Sequence, residues 1–317
     1  MKKITVVSPS FSEDNKRKMT EAAVSKGYAI LFFDDETAAA EDAGESEIVV
    51  GASPALLRLA PQAKWYCGIF AGVDSVVGLI PEGMILTSAS GAYGLTISEH
   101  IVMTVLEMLR RKPEYNRIVK EKKWIRDLPI RSICGSRITI LGTGDIGAQT
   151  AKRLRGFDPA QIIGVNRSGK NPDRLFDRVL RQEDLERILP ESDILILSLP
   201  DTAQTRNILS KERLAMLPRN CYIVNVGRGS AIDQKALTDA LNEGRIAGAG
   251  LDVFEQEPIP ADDPIWDCKN LILTPHISGN MTLGYTVERI VDLFCRNLDN
   301  YCSGEPMINV VDSERGY

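Results

Sequence analysis

Three strand-like runs in the last third of the chain end in polar residues that could do chemistry together. "YIVNVGRGSAID" sets Arg228 between two glycines directly after an apolar run, a costly place for a guanidinium unless an anion meets it. "GAGLDVFEQEPIP" closes the next run with Asp252, Glu255 and Glu257, and "LILTPHISG" closes the one after with His276, one of only two histidines in the chain. A lone histidine is more often a hydrogen-bonded core residue, so His276 takes its meaning from its company. Hydride arriving at a carbonyl carbon leaves an alkoxide that needs a proton. An imidazolium can give one near neutral pH, and a neighbouring carboxylate favours the charged ring. An arginine, a carboxylate and a histidine converging beside a nicotinamide would form a reduction site for a 2-oxo acid.

A nicotinamide needs a binding site, and "RITILGTGDIGAQTAKRL" has the composition of one. Gly142, Gly144 and Gly147 form G-x-G-x-x-G between an apolar strand and a helical stretch. The first glycine permits the tight turn, the second lets a pyrophosphate approach the backbone, and the third lets helix and strand pack closely. Free amides at the helix N-terminus would then face the anion. The same glycines could serve a tight turn for steric reasons alone, but the strand before, the helix after and another strand about 20 residues on favour dinucleotide binding. That next strand, "QIIGVNRSGK", ends in Asn166, Arg167 and Ser168, where the NAD pattern places a carboxylate on the ribose 2′-hydroxyl. An arginine there suits a 2′-phosphate, so NADP(H) is the expected cofactor with NAD(H) also admitted; a plain surface arginine on an exposed loop is the alternative.

Elements able to position these residues are legible along the whole chain. "KITVVS", "YAILFF", "EIVVG" and "KWYCGIF" alternate with helical stretches in the first 90 residues, which argues for parallel strands with crossover helices. "TISEHIVMTVLEMLRRK" reads as a long connecting helix, with Thr96 and Glu99 at capping-box spacing and Ile97, Ile101, Val105 and Met108 at helical period. A second series follows, "RITIL", "QIIGVN", "DILILSLP", "CYIVNVG", "GAGLDVF" and "NLILTPHI", each apolar enough for burial on both faces, as in central parallel strands. At 317 residues two domains are expected. A balance of 38 Lys plus Arg against 43 Asp plus Glu, net −5, offers no basic footprint for nucleic acid. The opening residues turn charged too soon for a signal peptide or a membrane span. The six cysteines show no metal-ligand spacing, so a cytoplasmic, metal-free protein without membrane contact is expected.

"LGTGDIG", "VNVGRGS", "LDVFEQEP" and "TPHISG", in that order and spacing, together with "GVDSV" at 72–76 and "SEH" at 98–100, resemble the D-isomer-specific 2-hydroxyacid dehydrogenases over essentially the whole chain. The resemblance implies an α/β protein of two doubly wound parallel-sheet domains, a Rossmann cofactor domain inserted into a flavodoxin-like substrate domain. The expected boundaries are 1–97 and 281–317 for the substrate domain and 98–280 for the cofactor domain. It implies that His276 is the acid/base, Glu257 its carboxylate partner and Arg228 the residue binding substrate carboxylate and carbonyl. Asp252 matches the position that contacts the nicotinamide carboxamide, with a strand-end structural role as the alternative. Asp145 and Ile146 would offer amides to the pyrophosphate, and Pro200 and Thr205 match the adenine side. Thr143, Leu199, Val226 and Gly227 complete the expected cofactor set. Gly72 and Val73 match a loop whose amides hold the substrate carboxylate, and the Gly51-Ala52 turn is assigned the same task. His100, on the connecting helix, is read as structural.

The Arg-Ser pair resembles the NADPH-preferring glyoxylate/hydroxypyruvate reductase branch, so a small 2-oxo acid of that kind is the expected substrate and a homodimer the expected assembly. The dimer contact is expected along the helix from Thr96, whose apolar side could equally be intrachain core. Two alternatives stand beside this: a phosphoglycerate dehydrogenase, disfavoured because the chain stops before any further regulatory domain, and a dinucleotide-sensing corepressor of the same fold. Long disordered flanks and a basic surface, which would favour the corepressor, are not evident.

Overall fold

The computed structural model describes residues 1–171, 174–313 and 315–316. The chain divides into two compact units, Met1–Tyr93 with Asn280–Tyr317 and Gly94–Gly279.

In the first unit the strands β1 (Lys2–Val7), β2 (Tyr28–Phe33), β3 (Ser46–Gly51), β4 (Trp65–Gly68) and β5 (Ile85–Thr87) form one parallel sheet in the order β2-β1-β3-β4-β5. This is the doubly wound order of flavodoxin-like sheets. The four apolar runs read from the sequence are β1 to β4. The end of the chain completes this core: helix Gly284–Ser303 brings Phe294 to stack on fully buried Trp65, with ring centroids 6.0 Å apart. Trp65 donates its indole N–H to Thr87 Oγ1 at 2.9 Å. The Tyr28 and Tyr301 hydroxyls both donate to Glu47 Oε1, so the returning helix is tied to the sheet by polar as well as apolar contacts.

The second unit holds seven parallel strands: β6 (Arg137–Leu141), β7 (Gln161–Asn166), β8 (Arg178–Arg181), β9 (Ile194–Leu197), β10 (Tyr222–Asn225), β11 (Gly248–Leu251) and β12 (Leu271–Leu273). Their order is β12-β11-β10-β9-β6-β7-β8. Numbered within the unit, this is the 3-2-1-4-5-6 order of dinucleotide-binding sheets with a seventh strand added. The order reverses between β6 and β9, and in such sheets ligands lie off the carboxyl ends of strands at that reversal. β9, β10 and β11 are buried along their whole length, as their unbroken apolar runs require. β12 is an edge strand and only half buried, so the expectation of burial on both faces does not hold for "NLILTPHI".

Helix Gly94–Leu109 begins two residues before Thr96, which therefore does not cap it; the Thr96 hydroxyl donates to Ser278 O at 3.4 Å instead. A Cβ on Gly94 would meet Asp145 Oδ2 at 2.3 Å, so a carboxylate lies against the first residue of the helix, where negative charge is favourable. The helix packs on the second unit's sheet: a Cβ on Gly250 of β11 would fall 2.1 Å from Thr104 Cγ2. The first turn is thus grouped with this unit, which runs from Gly94 to Gly279.

Candidate active site

The turn after β6 is built as its glycines suggest. Gly142 has φ 96°, outside the range of ordinary side chains. A Cβ on Gly147 would lie 2.0 Å from the Gly142 carbonyl oxygen, so the helix Asp145–Leu154 packs against the turn only without one. Gly144, the N-cap of that helix, is different: a Cβ there would meet no protein atom, and no side chain caps the helix. No protein contact therefore demands glycine at 144. The space left open is where a pyrophosphate would approach the amides of Asp145 and Ile146, so these residues fit a dinucleotide.

At the end of β7, Asn166 is committed to its own loop. Its Oδ1 accepts from the amides of Ser168 and Gly169 at 3.0 and 2.6 Å, and its Nδ2 donates to Thr143 Oγ1 at 2.6 Å and Lys170 O at 3.0 Å. This side-chain turn ties the loop to the glycine-rich segment and leaves Arg167 and Ser168 exposed. On the other side of the reversal, Thr205 is buried and staples the segment after β9, donating to Pro200 O at 2.6 Å and accepting from Thr202 N.

The loops after β10, β11 and β12, neighbours in the sheet, carry Arg228, Glu257 and His276. Val226 is buried and its amide extends the ladder to Leu197 O. A Cβ on Gly227 would fall 2.6 Å from Leu199 O, and one on Gly229 only 1.8 Å from the Phe254 carbonyl carbon. The backbone of Arg228 is therefore wedged between the segments after β9 and β11. Its Nη1 donates to Gly227 O at 2.8 Å, and buried Asn225 donates to Arg228 O. His276 Nδ1 donates to Glu257 Oε2 at 2.7 Å, while Glu257 Oε1 accepts from Phe254 N at 2.9 Å. The His276 side chain is 48% exposed, so Nε2 is the nitrogen available to a substrate. Glu255 is turned to another task, exchanging hydrogen bonds with Gln234.

Asp252 is 1% exposed and holds the histidine loop. Its Oδ1 accepts from the Thr274 hydroxyl (2.6 Å) and Ile277 N (2.9 Å), its Oδ2 from Ser278 N (2.9 Å), and its carbonyl from His276 N (2.9 Å). The strand-end structural role is the one these contacts display. Sequence reasoning missed the other members of this network. His100 Nε2 lies 3.4 Å from Thr274 Oγ1, and burial lowers its pKa against the pull of Asp252 and Glu107. The quoted "SEH" carries no local sign of that contact, which spans 174 residues.

The four substrate candidates lie at the carboxyl edge of the first unit's own sheet. Gly51 ends β3 and its carbonyl accepts from Ile69 N at 3.1 Å, with Ala52 exposed beside it. Gly72 and buried Val73 follow β4, the Val73 carbonyl accepting from the amides of Val76 and Val77.

A sheet in dinucleotide-binding order, an open glycine cradle at its first strand and a histidine–carboxylate pair beside an anchored arginine define a nicotinamide-dependent oxidoreductase. Residues 102–278 match the family model "D-isomer specific 2-hydroxyacid dehydrogenase, NAD binding domain". A glyoxylate reductase of Korarchaeum cryptofilum is 35% identical over 268 residues, covering 82% of this chain and 79% of that one. The glyoxylate/hydroxypyruvate reductase B of Pectobacterium carotovorum is 32% identical, covering 81% and 82%. Among solved structures, an NADPH-dependent glyoxylate/hydroxypyruvate reductase of Sinorhizobium meliloti in complex with NADP and sulfate superposes with a TM-score of 0.84 at 26% identity, each chain covered in full. A D-isomer specific 2-hydroxyacid dehydrogenase family protein of Aeromonas salmonicida gives 0.85 at 31% identity, covering 98% and 99%. The chain belongs to the D-isomer specific 2-hydroxyacid dehydrogenase family.

Proposed function

We propose that the protein reduces a small 2-oxo acid of the glyoxylate or hydroxypyruvate kind to the D-2-hydroxy acid, with NADPH preferred over NADH, and that it works as a homodimer. The second unit is assigned the cofactor and the first the substrate loops at Gly51-Ala52 and Gly72-Val73. When bound, the cofactor supplies a hydride to C2. His276 Nε2 supplies the proton to the carbonyl oxygen as it gains charge, and Glu257 stabilises the imidazolium and fixes the ring through Nδ1. Arg228 pairs with the substrate carboxylate and polarises the carbonyl, its guanidinium already anchored on Gly227 O. Hydride and proton together convert the ketone or aldehyde to the alcohol, and the proton returns to His276 from solvent.

The observation that carries this reading is the 2.7 Å His276–Glu257 pair on loops adjacent to that of Arg228. The names carried by the relatives favour glyoxylate and hydroxypyruvate, and Arg167-Ser168 in place of a carboxylate after β7 favours NADPH. The test is reduced-nicotinamide absorbance followed with NADPH and with NADH against a panel of 2-oxo acids. Turnover is expected with glyoxylate and hydroxypyruvate, and higher kcat/KM with NADPH. Failure of every 2-oxo acid to oxidise either cofactor would overturn the activity; a higher kcat/KM with NADH would overturn the cofactor preference alone.

A further inference from the structure

The end of β8 places a second arginine beside the loop after β7. In the ladder, Arg181 is the Cα partner of Asn166, so the two strand ends lie about 4.8 Å apart and Arg181 borders the loop that starts with Arg167. Its side chain runs over Gly169: a Cβ built there would lie 3.0 Å from Arg181 Cγ and 3.8 Å from Nε. Gly169 has φ 68° and its amide is held by Asn166 Oδ1 at 2.6 Å. The Asn166 turn thus makes a floor that an arginine stem crosses and a side chain would block. On the other flank, Gln182 Nε2 donates to Gln204 O at 2.6 Å, which ties the residue after Arg181 to the segment following β9 that matches the adenine side.

Three other arginines of this unit have carboxylate partners. Arg155 pairs with Asp177 at 3.1 Å, Arg187 with Asp184 at 2.8 Å, and Arg206 with Asp201 through two bonds of 2.9 Å. Arg181 is exposed, and its side chain makes no hydrogen bond or ion pair with any described residue. A phosphate monoester carries roughly −1.5 to −2 charges near neutral pH, more than one guanidinium neutralises, and arginine meets phosphate oxygens through a planar fork.

We infer that Arg181 is a specificity-determining residue for the cofactor, closing on the 2′-phosphate from the β8 side while Arg167 meets it from the β7 side. The inference rests on the NADPH reading above and extends it to a residue outside the strand–loop that normally decides the matter. Sequence distance hides the pair; parallel register across one strand spacing brings them together.

Calorimetric titration tests this without turnover, using adenosine 2′,5′-bisphosphate, ADP, NADPH and NADH on the intact protein. Arg181→Gln is expected to weaken the bisphosphate and NADPH by about 10- to 100-fold, the worth of a charge-assisted bond, while ADP and NADH change by less than about 2-fold. Arg181→Lys, which keeps the charge and loses the fork, should recover part of the loss. Equal weakening of all four ligands would overturn the inference, since a stacking or structural arginine serves both cofactors alike. So would unchanged affinities in both variants. If the wild type binds the bisphosphate and NADPH no better than ADP and NADH, the NADPH reading falls as well. If it prefers them and Arg181→Gln keeps that preference, only the role of Arg181 falls.

Discussion

His276 holds its imidazole on a backbone with φ 52°, a left-handed conformation that costs a non-glycine residue about 1–2 kcal/mol. Asp252 offsets this through its carbonyl on His276 N and its carboxylate on the two following amides. None of these bonds uses the imidazole, so removing the ring should leave the loop in place. His276→Ala is therefore expected to lower kcat by about 10²- to 10⁴-fold, the usual worth of a positioned general acid. Cofactor affinity, followed by fluorescence titration, should hardly change. Near-normal turnover in this variant would show that the proton comes from elsewhere.

At the scale of elements, the segment Gly227-Arg228-Gly229 locks three connections together. Gly227 is pressed against Leu199 and Gly229 against the Phe254–Glu255 peptide, so the segments after β9, β10 and β11 can lie together only without those two side chains. A methyl group at 229 would have to displace the backbone that leads to Glu257. Gly229→Ala should therefore lower kcat/KM by about 10²-fold through misplacement of the acid pair relative to Arg228. It should also lower Tm by several degrees, since backbone cannot yield as a flexible side chain does. Steady-state kinetics and thermal melts check both, and wild-type values would show slack in the 254–257 segment. Element type was readable where a strand is central, as in β9 to β11, because burial on both faces leaves an unbroken apolar run. β8 escaped because "RVLR" begins and ends in charge, which an edge strand tolerates.

For the molecule as a whole, the sequence carries net charge −5, and among the described residues no helix is long and apolar enough to cross a membrane. Assembly is where the surface speaks. The stripe Ile97, Ile101, Val105 and Met108 is buried within the chain, so of the two readings of that helix the intrachain one describes these residues. Exposed apolar side chains occur further on, at Val119, Trp124, Ile125 and Ile130, with Trp124 89% exposed. A tryptophan left in water forfeits a burial worth about 1.5–3 kcal/mol or more, which favours a second copy as its cover. Light scattering should give the mass of two chains for the wild type and of one for Trp124→Glu. A wild-type monomer at micromolar concentration would overturn the dimer, and an undiminished dimer in the variant would move the contact away from Trp124.

From the sequence alone came the alternation of strands and helices, the glycine turn between β6 and its helix, and the three polar strand ends with Arg228, Glu257 and His276. Each of these is local: Gly142 is dictated by its own φ, Gly147 by the carbonyl of Gly142 five residues before it, and a buried strand by its own run of side chains. Tertiary structure decided the rest. It turned Asn166 inward to hold its loop, made Asp252 the clamp of the histidine loop, and moved the start of the long helix from Thr96 to Gly94. It also brought His100 to Thr274 and Arg181 to Asn166. Those pairings depend on strand order and register, which place distant residues at adjacent strand ends, and no period or spacing within one segment encodes which strand will lie beside which.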